Sequence, residues 1–151
     1  MINSFPYPQI FNTLWLHSNC SGQKMNVVEA NAANWTHEIL KSSMLTVVYF
    51  WHDQCPWCIR LNPIFNEVSG EYEGRIKFAK LNVLESSENR ELASSNGVMG
   101  TPTLMFFCQG RPIGQTVSFM PKEDLKKALD DVLDKSKQCI QQSSDLRNYV
   151  V

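Results

Sequence analysis

No uninterrupted apolar stretch in this 151-residue chain approaches the ~18 residues that a transmembrane helix needs. Its most apolar runs, Leu45 to Trp51 and Leu104 to Cys108, have the length of strands, so no membrane partner is expected. Neither sign of charge is in excess: 14 Lys plus Arg stand against 15 Asp plus Glu. That balance leaves no basic field for a phosphate backbone, so nucleic acid is not an expected partner. No Lys or Arg precedes Lys24, and the short apolar stretch Ile10 to Leu16 is broken by Asn12 and Thr13, which does not make a secretory signal. Cysteine is sparse and odd in number, at Cys20, Cys55, Cys58, Cys108 and Cys139. Such spacing does not suit the disulfide framework of a small secreted domain; a reducing, cytoplasmic setting is the expectation. No internal repeat is present. No second Cys-x-x-Cys or His-x-x-x-His accompanies Cys55 and Cys58, so a structural zinc site is short of ligands and no metal is expected.

The length suits one domain of ~100 to 200 residues. Residues 1–24 read as a separate N-terminal extension: Pro6, Pro8, Asn12, Ser18, Ser21 and Gly22 interrupt it, while Phe5, Tyr7, Ile10, Phe11, Leu14, Trp15 and Leu16 give it an apolar surface for docking. A frayed terminus is the alternative. Residues 25–137 carry regular periodicity, and 138–151 read as a polar tail.

Within the regular zone, a short strand near Met25 to Glu29 is followed by Trp35, Ile39 and Leu40 at helical spacing, with Asn31 or Asn34 as the cap. The run Leu45 to Trp51, β-branched and aromatic without polar alternation, predicts a central strand covered on both faces. Trp57, Leu61, Ile64, Phe65 and Val68 form one helical stripe that continues past Pro63, so a kink near Asn62 is expected and not an end. Ile76 to Asn82 reads as a third strand. Ser86 or Ser87 caps a short helix that Gly97 ends, and Thr103 to Cys108 and Arg111 to Val117 flank a hairpin turn at Gln109-Gly110. A last helix begins near Pro121, with Leu125, Ala128, Leu129, Val132 and Leu133 facing inward. The order β-α-β-α-β-α-β-β-α predicts an α/β fold: a central mixed sheet, helices on both faces and an antiparallel hairpin at one side.

The chemistry is expected in Cys55-Pro56-Trp57-Cys58. A thiolate is the nucleophile of disulfide exchange, and free cysteine near pKa ~8.5 is mostly protonated at neutral pH, so position must activate it. Cys55 follows a strand and precedes a helix, where unpaired N–H groups and the helix dipole favour negative charge. Pro56 fits the first helical position. Cys58 lies one turn on and faces the same side, so the pair can close a local disulfide. Cys55 would attack a substrate disulfide, and Cys58 would then attack Cys55 to release reduced substrate. A pair of inert core cysteines is the bland alternative.

These residues resemble the thioredoxin family over about Val27 to Lys135. The resemblance is carried by Val48-Tyr49-Phe50-Trp51 leading into Cys55-Pro56-Trp57-Cys58, Pro63 in the next helix, Phe78-Ala79-Lys80-Leu81-Asn82, Gly100-Thr101-Pro102-Thr103, and Gln109-Gly110. It implies the thioredoxin fold and a thiol-disulfide oxidoreductase acting as a monomer on protein disulfides. It also implies recharging by a disulfide reductase or a small-thiol reductant, and no cofactor beyond the redox-active Cys55–Cys58 disulfide. A cis peptide before Pro102, packed beside the cysteines, is implied as well, with Thr101 offering backbone groups to substrate and Trp51 packing beside the site. Pro56 and Trp57 would complete the substrate surface, Trp57 either exposed for contact or buried by its stripe. Alternative functions are a disulfide oxidase or isomerase, and a non-catalytic thioredoxin-fold binding module.

Three departures from the family stand out. Typical thioredoxins place Gly-Pro between the cysteines, where this chain has Pro56-Trp57. The family's buried Asp in the central strand is here Tyr49, whose phenol (pKa ~10) is a poor base at neutral pH; Lys80, which matches that Asp's lysine, points outward or contacts Tyr49. Ser118 stands where the family usually has Gly. His52 and Asp53 read as solvated residues, with an imidazolium beside the thiolate as the alternative. Cys108 reads as a core thiol and Cys139 as unpaired, with pairing to Cys20 as the alternative.

Overall fold

A computed structural model describes residues 26–147; the expected extension at 1–24, with Cys20, lies outside the described residues. Five strands, β1 (Val27–Glu29), β2 (Leu45–Trp51), β3 (Ile76–Asn82), β4 (Thr103–Cys108) and β5 (Arg111–Val117), form one mixed sheet in the order β1-β3-β2-β4-β5. β1, β3 and β2 run parallel, whereas β4 and β5 are antiparallel to their neighbours. β2 lies at the centre, as its unbroken apolar run predicts, and only Trp51 in it is not fully buried.

The alternation of side chains along the strands divides the core into two layers. Val47 and Tyr49 of β2 face α1 (Pro56–Glu71) and α3 (Lys122–Arg147), packing with Leu61, Phe65, Leu125 and Leu129. Val48 and Phe50 face the opposite side, against Trp35, Ile39 and Ala93 of α2 (Ser87–Ser95). Helices therefore cover both faces. Phe65 is fully buried, with ring centroids 5.0 Å from Tyr49 and 5.1 Å from Phe78. Burial of a side chain of this kind is worth about 1.5–3 kcal/mol.

α1 continues through Pro63, as its stripe predicts. The Ser86 hydroxyl caps α2 by accepting the Asn89 N–H at 3.0 Å. At the hairpin, Gln109 and Gly110 both have positive φ (49° and 77°), the backbone of a tight turn that matches strand twist. A Cβ at Gly110 would collide with the carbonyl of Leu40, so only glycine fits there.

Two expectations are corrected. The segment after Asn34 is no ordinary capped helix but a π-helical turn over Thr36–Leu40, in which the Lys41 N–H reaches the Thr36 carbonyl at 2.9 Å. The side chains of Asn31 and Asn34 are already committed, each accepting the other's backbone N–H at 2.8 and 3.0 Å, and neither caps that turn. The helix expected to fade after Lys137 instead runs to Arg147, because 138–147 contain neither Gly nor Pro to end it.

Candidate active site

Phe50 pairs with Thr103 in antiparallel register, so the end of β2 and the start of β4 meet at one edge of the fold. The loop that leaves β2 carries Cys55 there, and the loop that enters β4 carries Thr101 and Pro102 across a cis peptide bond, as the resemblance implied. Cys55 is the residue just before α1, in extended conformation, and Pro56 follows in the first turn, where its missing N–H would have had no helical partner. The Cys55 sulfur accepts the N–H of Cys58 at 3.2 Å. Cys55 and Cys58 form a disulfide, their Cα atoms 5.1 Å apart. Cys55 keeps 6% of its surface exposed and Cys58 none, so a large disulfide from outside meets Cys55 first. Once the bond is open, a Cys55 thiolate faces a backbone donor and the positive end of α1, both of which favour its charge.

The position of the family's aspartate has its own arrangement. Tyr49 is fully buried, and its hydroxyl donates to the Cys58 carbonyl at 3.0 Å. Burial pushes the phenol well above its ordinary value, so it stays protonated. Lys80 does not point outward: it is 8% exposed, with its ammonium 4.6 Å from the Trp51 ring centroid and 5.9 Å from that of Tyr49. Burial pulls its pKa below the usual lysine value, and the Glu29 carboxylate acts in the opposite sense.

Of the two placements the sequence left open for Trp57, the structure has the exposed one: it is 51% exposed. Its ring lies 5.7 Å from Phe119, and the Arg60 guanidinium sits 5.2 Å from Trp57 and 5.4 Å from Phe119. Arg60 lies three residues after Trp57 and so shares its helix face, a signal present in the sequence; the approach of Phe119 had none. Ser118, just before it, has φ 92° and donates its N–H to the Pro102 carbonyl at 3.0 Å. The backbone here has positive φ, a shape that glycine adopts without strain. Pro56 is exposed, while Trp51 and Thr101 are half-buried and Pro102 is buried. His52 contributes its carbonyl, which accepts the Cys55 N–H at 3.4 Å, and Asp53 is exposed.

A second disulfide joins Cys108 to Cys139, with a Cα separation of 6.7 Å, which corrects the expectation of a core thiol and an unpaired one. The continued α3 carries Cys139 over the end of β4, a contact across 31 residues that local pattern does not reveal. Cys108 ends β4 and Thr103 begins it, so this bond lies about 17 Å of strand away from the Cys55 end. Among the described residues, no group of three or more His, Cys, Asp or Glu is placed to hold a metal ion, and no helix is long and apolar enough to cross a membrane.

The thioredoxin family model matches residues 26–131. The chain is 37% identical over 103 residues to thioredoxin 2 of Chlorobaculum tepidum, a match that covers 68% of this chain and 92% of that protein. It is 33% identical over 105 residues to a thioredoxin of Synechocystis, covering 70% and 95% of the two chains. With a thioredoxin of Staphylococcus haemolyticus it shares 35% identity over 106 residues, covering 70% and 97%.

Proposed function

This chain belongs to the thioredoxin family and is a thiol-disulfide oxidoreductase, and we propose that it reduces protein disulfides by dithiol exchange through Cys55 and Cys58. The observation that carries this reading is the bond from the Cys58 N–H to the Cys55 sulfur at the start of α1, which holds the nucleophile where negative charge is favoured.

In the reduced protein, the Cys55 thiolate attacks one sulfur of the substrate disulfide. The other leaves as a thiolate and takes up a proton. Cys58 then gives its proton to water and attacks the Cys55 sulfur; the Cys55–Cys58 bond forms, and the second substrate sulfur leaves. Two electrons pass to the substrate. A disulfide reductase or a small-thiol reductant returns two electrons to reopen the pair, so no further cofactor is required. Pro56, Trp57, Thr101 and Pro102 form the surface that receives the substrate chain, and Trp51 supports it from the end of β2. The protein acts as a monomer in this scheme.

A second reading, disulfide oxidase, is favoured by the Cys108–Cys139 bond, since persistent disulfides belong mostly to oxidising compartments. The cytoplasmic setting expected from sparse cysteine favours the reductant. The redox potential of Cys55–Cys58 separates them, with reducing members of the fold near about −270 mV and strong oxidants near about −120 mV. Turnover of a protein disulfide tests the shared chemistry: Cys55→Ser abolishes it, and Cys58→Ser accumulates a mixed disulfide with substrate. Equal turnover by Cys55→Ser and the parent protein would reduce the chain to a binding module.

A further inference from the structure

We propose that Arg60 is a specificity-determining residue of the exchange site and selects protein disulfides that carry an acidic side chain beside the attacked cysteine. The proposal rests on the dithiol-exchange reading above and narrows its substrate class.

Three segments meet around Cys55: the start of α1, the loop with Thr101 and Pro102, and the rim at Ser118 and Phe119, which the Ser118 N–H holds to the Pro102 carbonyl at 3.0 Å. Charge is almost absent from them. Between Cys55 and Glu67 the sole charged residue is Arg60, and neither 97–108 nor 112–121 contains any. The Arg60 guanidinium is therefore the one cation that these segments present. Its place is set by the rings it covers, 5.2 Å from Trp57 and 5.4 Å from Phe119, which are themselves 5.7 Å apart.

This cation is positioned, yet its hydrogen-bonding capacity is unspent. Aromatic faces attract a guanidinium without neutralising it. The acidic side chains further along α1 are already taken, Glu67 by Lys122 at 2.8 Å and Glu71 by Lys122 and Lys126 at 2.8 and 2.7 Å. Arg60 has no ion pair among the described residues, and Asp53, the acidic residue just before Cys55, is exposed and does not pair with it. A guanidinium presents its N–H donors as a planar fork that fits a carboxylate through two bonds. Stacked on Trp57 and Phe119, it has already given up side-chain freedom, so binding an acid there costs less ordering entropy. A carboxylate is the ligand that this arrangement fits.

The cation is also within reach of a docked substrate. Arg60 lies five residues after Cys55, about 8 Å along the helix axis. An extended substrate chain advances about 3.3 Å per residue, so a Glu next but one to the attacked cysteine spans the distance with the help of the two side chains. Its carboxylate meets Arg60 while its disulfide meets Cys55. Arg60 touches neither reacting sulfur; it decides which substrate is held.

Short synthetic peptides closed by one internal disulfide test this, identical except for Glu, Gln or Lys next but one to each cysteine. Each is mixed at low salt with the pre-reduced full chain, and the rate constant for oxidation of the protein is read for the parent, Arg60→Gln and Arg60→Glu. The Glu-to-Gln ratio of rates is about threefold to tenfold larger for the parent than for Arg60→Gln, between the worth of a solvated ion pair and that of a charge-assisted bidentate bond. Comparing ratios cancels the intrinsic reactivity of each peptide. Salt at about 0.5 M shrinks the parent's preference, because exposed charges are screened, and Arg60→Glu shifts the preference to the Lys peptide. The proposal is overturned if Arg60→Gln changes the rates of all three peptides by one common factor, the result expected of an arginine that only covers the two rings, or if Arg60→Glu leaves the order of the peptides unchanged. Failure of the exchange reading looks different: the parent protein would react with none of the peptides, and the proposal would fall with it.

Discussion

The hydroxyl of Tyr49 donates to the carbonyl of Cys58 over 3.0 Å, tying the central strand to the first turn of the helix that holds both reactive sulfurs. Removing the hydroxyl in Tyr49→Phe costs about 1 kcal/mol of stability, read by urea unfolding. The same change leaves the shape of the pH profile for mixed-disulfide resolution intact, because the phenol does not titrate in the working range. Tyr49→Asp behaves otherwise: it places a carboxylate under Cys58 and adds a new inflection to that profile.

Burial raises the pKa of Tyr49, and burial together with the Asp130 hydrogen bond raises that of Tyr72 to about 12. An unfolded tyrosine ionises near pH ~10. Above that pH the unfolded chain has lost protons that the folded chain retains, so the slope of stability with pH is negative. The contribution is complete below the unfolded value and is lost as pH rises toward the folded one. Lys80, with its lowered pKa, acts in the opposite sense. Urea midpoints of the oxidised protein therefore fall between pH 9.5 and 11.5, values chosen about the tyrosine range, and Tyr72→Phe flattens the decline.

The Cys108–Cys139 bond closes a loop with a sequence separation of 31. On chain-entropy grounds, Cys139→Ser lowers stability by about 3–4 kcal/mol, seen as an earlier denaturation midpoint under non-reducing conditions. Turnover through Cys55 and Cys58 stays at the parent level, since the second bond lies at the other end of β4.

Ser118 adopts φ 92°, a backbone shape costing a non-glycine residue on the order of 1–3 kcal/mol. Glycine relieves that strain but gives back about 0.4–1 kcal/mol through the freedom of the unfolded chain. Ser118→Gly thus raises the thermal midpoint modestly. A drop in midpoint would show that the serine side chain contributes more than its backbone costs.

Much of this molecule was legible from local pattern. The order of elements, the central place of β2, the hairpin at Gln109-Gly110 and the position of Cys55 at a helix start all follow from periodicity and turn chemistry, which act over a few residues. The sequence also singled out Cys55 and Cys58 as the candidate pair, because only they combine the right spacing with a strand before and a helix after. What the tertiary structure decided was every relationship between residues distant in the chain: Cys108 with Cys139, Trp57 and Arg60 with Phe119, and Lys80 over the rings of Tyr49 and Trp51. The sequence left Trp57 open between exposure and burial by its stripe, and it stands half-exposed, since the core beneath the first turn of α1 is filled by Cys58 and Tyr49. Burial, hydrogen-bond partners and local dielectric belong to the packed fold, so the charge balance around Cys58 is set there and not in the four residues from Cys55 to Cys58.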